Sequence, residues 1–103
     1  MSEVKRLHRR HALVVGGSIH DRLATREVLL ARGFQVTMDR SQRRGLRRLG
    51  THPFDVCALY LVPATRPEEL RRRYLQAARA TGAELFVMDG VSAHAQVRTR
   101  EPV

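Results

Sequence analysis

The sequence predicts an α/β fold in which a parallel sheet lies between two layers of helices. The first observation is the run from Pro53 to Pro63, which is apolar except for Asp55 and is bounded by prolines. A run of this length suits a strand better than a helix. Apolar side chains on both sides indicate a strand that is covered on both faces. The second observation is the pattern order β-α-β-α-β-α-β, which implies parallel strands joined by right-handed crossovers.

The first half of the chain predicts two strands around one helix. The segment from His11 to Gly17 is apolar and ends in two glycines, which predicts the first strand. The first helix is predicted from Ser18 to Arg32, with Ser18 as its N-cap and Gly33 as its stop. Residues 34–38 alternate apolar and polar, which predicts a half-exposed edge strand. The helix stripe expected to face the core consists of Ile19, Leu23, Ala24, Val28, Leu30 and Ala31.

A second helix is predicted from Gln42 to Leu49, with Ser41 as its cap. Gly45 inside it costs ~1 kcal/mol relative to alanine, which indicates either tight packing at that point or a weak helix.

The third helix is predicted after the central strand, from about Pro67 to Ala80. Thr65-Arg-Pro-Glu has the sequence of a capping box, with the proline in the first turn. Gly82 is expected to end this helix, and residues 84–90 are expected to form the fourth strand. The predicted inner stripe of the third helix consists of Leu70, Tyr74, Ala77 and Ala78.

Length and composition indicate one small domain. The chain has 103 residues and one cysteine, so an internal disulfide is excluded and Cys57 is expected to be a buried hydrophobic residue. The expected organisation is a basic lead-in at 1–10, an α/β domain at 11–90 and a tail at 91–103. No segment approaches the ~20 apolar residues of a membrane helix, and the N-terminal segment lacks a signal-like apolar run. The sequence therefore predicts a cytoplasmic protein without membrane contact.

The charge balance favours acidic partners. The formal net charge is +9, and Lys5 is the single lysine among 19 basic residues. Nucleic acid, a phosphorylated ligand or an acidic protein surface are the partner classes that such a charge attracts. A solvated basic face is the alternative, and it is favoured because the five aromatic residues fall mostly at core positions and leave none for base stacking. The candidate anion- or nucleic-acid-binding residues are Ser18, Arg43, Arg44, Arg47, Arg48, Arg71, Arg72 and Arg73. The helices that carry these arginines are expected to share one side of the sheet only in part.

Ligands of parallel α/β sheets collect at the carboxyl ends of the strands. The residues expected there are Gly16, Gly17, Ser18, Tyr60, Leu61, Val62, Asp89 and Gly90.

With these elements in place, the chain resembles the receiver domain of bacterial response regulators over about residues 11–90. The resemblance lies in the pattern and spacing of Leu13-Val-Val-Gly-Gly, Gly33-Phe-Gln-Val, His52-Pro-Phe-Asp-Val-Cys-Ala-Leu-Tyr-Leu and Leu85-Phe-Val-Met-Asp-Gly. It implies a flavodoxin-like, three-layer sandwich with parallel strands in the order 2-1-3-4. It leaves open whether a fifth strand is present.

The resemblance also implies where the family's chemistry is missing. The acidic pair of receivers aligns with Gly16 and Gly17, the phosphoryl acceptor with Tyr60, and the Ser/Thr position with Asp89. The strand that carries the family's lysine is not found. Asp55 is expected at the opposite end of the sheet. Phosphoryl transfer to aspartate needs a carboxylate nucleophile, bound Mg²⁺ and a neutralising cation, so a degenerate pseudo-receiver is expected.

The predicted function is a non-catalytic signalling or regulatory module that acts through protein–protein contacts, without a cofactor or metal. The alternative is a basic protein that binds nucleic acid or a phosphorylated nucleotide. An enzyme is not expected, because no nucleophile–base pair is evident. The fourth strand is expected to leave an open edge at Leu85 and Val87. A homodimer, another partner or the tail would cover this edge.

Overall fold

Strands and helices alternate through most of the chain. The structure, a computed structural model, describes residues 10–62, 64–88 and 97–101. The strands are β1 (His11–Val15), β2 (Gln35–Asp39), β3 (Val56–Tyr60), β4 (Glu84–Met88) and β5 (Val97–Glu101). The helices are α1 (Ile19–Ala31), α2 (Gln42–Thr51) and α3 (Pro67–Thr81).

The sheet has the order β2-β1-β3-β4-β5. The first four strands in this order are parallel, and β5 runs antiparallel to β4. The predicted parallel order 2-1-3-4 is therefore confirmed. The apolar run was placed correctly as well, because all five residues of β3 are buried at the middle of the sheet.

The edge of β4 is covered by part of the predicted tail, which is one of the coverings expected for it. Residues 97–101 pair with β4, with Leu85 opposite Glu101 and Val87 opposite Thr99. Because β4 has a neighbour on both sides, the expected open edge is absent, and a homodimer built by pairing two β4 edges is incompatible with β5 in this position. The other residues of the predicted lead-in and tail, 1–9, 91–96 and 102–103, lie outside the described residues, and so do residues 89–90 of the predicted α/β domain.

The two faces of the sheet bury separate sets of apolar side chains. Leu13, Leu59 and Leu85 face α2 and α3 and pack with Leu49 and Tyr74. The alternate residues Val14, Ala58, Tyr60 and Met88 lie on the opposite face, where Leu29 of α1 packs. The layers are thus α1, the sheet, and the α2–α3 pair. The helix pair lies wholly on one side, which corrects the expectation that α2 and α3 share a side only in part.

The buried face of α1 is not the predicted stripe. Ile19, Leu23, Val28 and Leu30 are 49%, 40%, 52% and 42% exposed, and Ala24 and Ala31 are exposed as well. The buried residues are Asp21, Arg22 and Thr25. Their polar atoms are satisfied by specific hydrogen bonds, so a polar face can point inward.

Two of the three predicted helix caps are confirmed. The Ser18 and Ser41 side chains accept hydrogen bonds from the backbone N–H groups of Asp21 and Arg44. The capping box predicted at Thr65 is wrong, because the N-cap of α3 is Arg66 and no side chain caps it. Since a residue before proline is driven out of the helical conformation, Arg66 ends up as the cap and Thr65 lies one residue further out. No helix in the described ranges is long and apolar enough to cross a membrane.

Gly45→Ala is expected to destabilise the protein although alanine favours helices. A Cβ atom at Gly45 would lie 2.6 Å from the Tyr74 hydroxyl and 2.7 Å from both methyl carbons of Val15. Val15 and Tyr74 are fully buried, so the overpacking cost of about 1–3 kcal/mol outweighs the ~1 kcal/mol gain in helix propensity. The free energy of unfolding from urea titration is the measurement.

The matched control is Gly50→Ala in the same helix. Apart from its chain neighbours and the backbone of its own helix, no atom lies within 4 Å of its Cβ position, so this variant is expected to gain up to about 1 kcal/mol. Equal effects of the two substitutions would contradict the tight α2–sheet packing.

Candidate functional site

The carboxyl ends of β1, β2 and β3 meet at one edge of the sheet, which we call the carboxyl edge. Val15 is in register with Asp39 on one side and Leu59 on the other. The Gly16 N–H donates to the Asp39 carbonyl at 3.0 Å. The residues that sequence reasoning selected at β1 and β3 are therefore brought together.

The turn after β1 has no room for side chains. Gly16 and Gly17 have φ of +81° and +71°, a region that other residues rarely adopt. A Cβ atom at Gly16 would lie 2.6 Å from the Tyr60 carbonyl oxygen, and one at Gly17 would lie 2.8 Å from Tyr60 Cγ. This backbone path is therefore restricted to glycine at both positions.

A buried arginine lies beneath this turn. The side chain of Arg22 reaches back from α1, and its Nη1 donates to the carbonyl oxygens of Gly16 at 3.1 Å and Gly17 at 2.7 Å. Arg22 is only 8% exposed. No carboxylate of the described residues forms an ion pair with it, so its positive charge is compensated by backbone carbonyl dipoles. Sequence reasoning missed this residue because it assigned this face of α1 to solvent.

Tyr60 does not point its hydroxyl into an open site. The side chain is fully buried. Its hydroxyl lies 2.6 Å from Thr25 Oγ1 and donates to the Asp21 carbonyl at 3.2 Å. Burial raises the pKa of Tyr60, and the nearby Asp21 carboxylate acts in the same direction, while the Thr25 hydrogen bond opposes them. The phenol is therefore neutral, and its hydroxyl is fixed by hydrogen bonds to Thr25 and Asp21 of α1.

Asp39 is a buried carboxylate at the carboxyl edge, with several strong donors. It accepts from the Ser41 N–H at 2.9 Å, from Arg44 Nε at 2.9 and 3.1 Å, and from Arg48 Nε at 2.9 Å. Burial raises the pKa of this carboxyl, but the hydrogen bonds from Arg44, Ser41 and Arg48 outweigh it and hold the pKa below its ordinary value. The Asp39 carboxylate is therefore charged, and both of its oxygens accept hydrogen bonds.

Gln42 connects β3 to the helix pair. Its side-chain amide donates to the carbonyls of Tyr60 at 2.9 Å and Leu61 at 3.3 Å, and its backbone carbonyl accepts from the Tyr74 hydroxyl at 2.5 Å. A cavity of about 340 Å³ lies beside it between the amino-terminal ends of α2 and α3. Its two arginines, Arg66 and Arg73, both contact Glu69, at 3.5 and 3.3 Å.

Some of the remaining candidate residues form hydrogen bonds or ion pairs, and the others are exposed to solvent. The capping box of α1 engages Ser18, whose hydroxyl accepts from the Asp21 N–H while its own N–H donates to the Asp21 carboxylate. Arg71 lies 3.8 Å from Glu68. Within the described ranges, the exposed arginines of α2 and α3 without an ion-pair partner are Arg43, Arg47, Arg72 and, at the carboxyl end of α3, Arg79.

Other predicted residues lie elsewhere. Asp55 is at the amino end of β3, where its carboxylate accepts from the His11 N–H at 2.8 Å. Asp89 and Gly90 lie outside the described residues. Among the residues described, no three His, Cys, Asp or Glu side chains are grouped as metal ligands. Cys57 is fully buried, and burial raises the pKa of its thiol.

The architecture is similar to a known crystal structure. A CheY-like response regulator receiver domain protein from Methanospirillum hungatei JF-1 superposes with a TM-score of 0.60 and 15% sequence identity, over 84% of this chain and 86% of that chain. No family model and no curated protein matches the sequence. At this identity the likeness shows the fold, a receiver-like α/β fold of the flavodoxin type.

Asp39→Asn is expected to lower the free energy of unfolding at neutral pH by about 1.5–3 kcal/mol, the range for hydrogen bonds to a charged group. The pKa of Asp39 is lower in the folded chain than in the unfolded chain. Its contribution is therefore complete above about pH 4 and is lost as the pH falls through the folded-state pKa. Urea titrations at pH 7 and pH 3 should show a larger difference from wild type at pH 7 than at pH 3.

Glu68→Gln is the control for Asp39→Asn. The Glu68 side chain is 89% exposed, and an exposed ion pair contributes about 0–1 kcal/mol. A loss for Asp39→Asn that is the same at both pH values would contradict the assignment of Asp39 as a charged anchor.

Proposed function

We propose that this chain is a non-catalytic signalling or regulatory module with a receiver-like fold, which acts through protein–protein contacts without phosphorylation of an aspartate. The observation that carries the proposal is the buried Arg22 guanidinium, bonded to the carbonyls of Gly16 and Gly17. By the sequence resemblance, these glycines occupy the positions of the receiver acidic pair.

The residues present do not fit a magnesium ion. Mg²⁺ prefers carboxylate, phosphate and water oxygens in near-octahedral geometry. At this turn the protein has two glycines whose Cβ positions are blocked at 2.6 and 2.8 Å. The Arg22 guanidinium donates to the only oxygens of Gly16 and Gly17, and its positive charge repels a divalent cation. Among the described residues, the two carboxylates nearby are those of Asp21 and Asp39, which accept hydrogen bonds from Ser18 and from the arginines of α2.

The acceptor position also lacks a suitable nucleophile. Tyr60 aligns there by the resemblance, and its hydroxyl is buried against Thr25 and Asp21. A raised pKa keeps the phenol protonated, and burial prevents in-line approach of a phosphoryl donor. The proposed module therefore transmits its signal through surface contacts that do not depend on phosphorylation.

The intact protein is expected to gain no phosphoryl group from acetyl phosphate and Mg²⁺. Intact-mass spectrometry before and after incubation is the measurement, with a phosphorylatable receiver in the same mixture as the positive control. Mg²⁺ alone is expected to leave the thermal unfolding midpoint unchanged. A stable mass gain, or stabilisation that saturates with Mg²⁺, would overturn the proposal.

A second candidate function is binding of nucleic acid or a phosphorylated nucleotide. It is favoured by the adjacency of α2 and α3 on one side of the sheet, which brings the unpaired arginines Arg43, Arg47 and Arg72 onto one helical layer. Arg44 and Arg48 are not assigned to phosphate binding, because their guanidinium groups form ion pairs with Asp39. Phosphate contacts by such arginines give affinity that decreases steeply with salt.

If the second function is real, Arg43→Gln/Arg47→Gln should weaken binding of a labelled single-stranded oligonucleotide. The slope of log affinity against log salt should fall by about 0.7 per phosphate contact removed. Fluorescence anisotropy at several salt concentrations is the measurement. Arg26→Gln/Arg32→Gln changes charge equally on the opposite side of the sheet, and an equal loss in that variant would indicate non-specific attraction only.

A further inference from the structure

The cavity between the amino-terminal ends of α2 and α3 lies at the carboxyl end of β3. Its volume is about 340 Å³, at the lower end of the roughly 300–1,000 Å³ range of ligand pockets. Gln42, Thr65 and Leu70 line it, and the Gln42 side chain connects it to β3 by donating to the Tyr60 carbonyl. Because ligands of parallel α/β sheets bind outside the carboxyl ends of the strands, this cavity suits a small ligand.

Two arginines of this cavity converge on one carboxylate. Arg66 Nη1 lies 3.5 Å from Glu69 Oε1, and Arg73 Nη2 lies 3.3 Å from Glu69 Oε2. All three residues line the cavity. The two guanidinium groups contact different oxygens of the carboxylate, and they come from positions before and after Glu69 in the sequence. The Glu69 carboxylate therefore marks a place where both arginines can contact a single anion.

The two ion pairs are weak enough to exchange with an anion from solution. The side chains of Arg66, Arg73 and Glu69 are 79%, 61% and 34% exposed. Both distances exceed the ~2.7–2.9 Å of a charge-assisted hydrogen bond, and exposed ion pairs contribute little to stability. The Glu69 carboxylate can therefore leave the two arginines for solvent at a small cost in free energy.

We propose that this cavity binds the phosphate group of a small phosphorylated ligand, which contacts Arg66 and Arg73 and displaces the Glu69 carboxylate. A phosphate group carries close to two negative charges at neutral pH, so it matches the combined charge of the two guanidinium groups once Glu69 has left. Arginine forks also fit the geometry of phosphate oxygens. A ligand with one carboxylate would only replace Glu69 by an equal charge, so a phosphate is the favoured class.

The beginning of α3 adds to the positive potential of the two arginines. Arg66 is the N-cap of this helix, and its side chain makes no capping hydrogen bond. The amino-terminal end of a helix carries a partial positive charge, which attracts a doubly charged anion more strongly than a carboxylate. The helix end alone does not define a site. The two arginines determine its location, and the helix end increases its preference for the ligand of higher charge.

The cavity is distinct from the arginine surface of the second candidate function. Neither Arg43 nor Arg47 lines it. The inference shares with that function only the chemical class of the ligand, and it does not depend on the absence of aspartate phosphorylation. Loss of oligonucleotide binding in the Arg43→Gln/Arg47→Gln variant would therefore leave phosphate binding in the cavity unchanged, so the failure of either idea can be recognised separately.

The experiment is isothermal titration calorimetry of the full chain with inorganic phosphate at constant ionic strength. Wild type should bind phosphate saturably and acetate far more weakly. Arg73→Gln should raise the dissociation constant about tenfold, as expected for the loss of one hydrogen bond to a charged group. Arg72→Gln, the same charge change at an exposed neighbour outside this cavity, should leave it nearly unchanged. Because both side chains are exposed, both variants should keep the wild-type circular dichroism and unfolding midpoint.

A change of opposite sign tests the displacement of Glu69. Glu69→Gln should tighten phosphate binding, because the competing carboxylate is gone while both arginines remain. Glu68→Gln removes the same charge from the preceding residue, whose side chain is 89% exposed and does not line the cavity, so it should have a much smaller effect. The absence of saturable phosphate binding, equal losses in Arg72→Gln and Arg73→Gln, or weaker binding by Glu69→Gln would each overturn the proposal.

Discussion

The burial of Arg22 is the constraint on which the carboxyl edge depends. A guanidinium removed from water must be compensated by hydrogen bonds or opposite charge, and here the carbonyls of Gly16 and Gly17 provide that compensation. Those carbonyls are available because the turn adopts positive φ at both residues, a conformation that favours glycine. The arginine and the two glycines thus require one another. Together they fill the turn at the carboxyl end of β1.

The same orientation of α1 explains the outer surface. A helix whose polar face points inward must place its apolar residues outward, and Ile19, Leu23 and Leu30 are exposed for this reason. The buried Arg22 beneath the β1 turn and the exposed apolar residues of α1 are therefore two consequences of one helix rotation. The rotation is stabilised by Thr25 and Asp21, which bond the Tyr60 hydroxyl from the helix side.

Arginine residues that are close in sequence have different roles in this protein. Arg44 and Arg48 neutralise the buried Asp39 at the end of the edge strand. Arg43 and Arg47 are exposed, and neither forms an ion pair with the part of the chain that the structure describes. Successive helix positions differ by 100°, so alternate pairs of one cluster face the sheet edge and the solvent. The net charge alone therefore overstates the surface that is available to an acidic partner.

The strand order 2-1-3-4 was implied by the resemblance to receiver domains. The sequence by itself determined the central position of β3, the parallel crossovers, and the caps at Ser18 and Ser41. These features follow from local periodicity and short-range hydrogen bonds, which a sequence pattern records directly. Only the tertiary structure decided the rotation of α1, the partner of Arg22 and the pairing of β5 with β4. Each of these depends on polar groups satisfied by residues on another element, such as Thr25 with Tyr60. Apolar periodicity in a sequence shows which helix face can be buried without hydrogen bonds. It does not show the hydrogen bonds that a polar face can form with residues elsewhere in the fold. Where such bonds form, burial of the polar face becomes favourable.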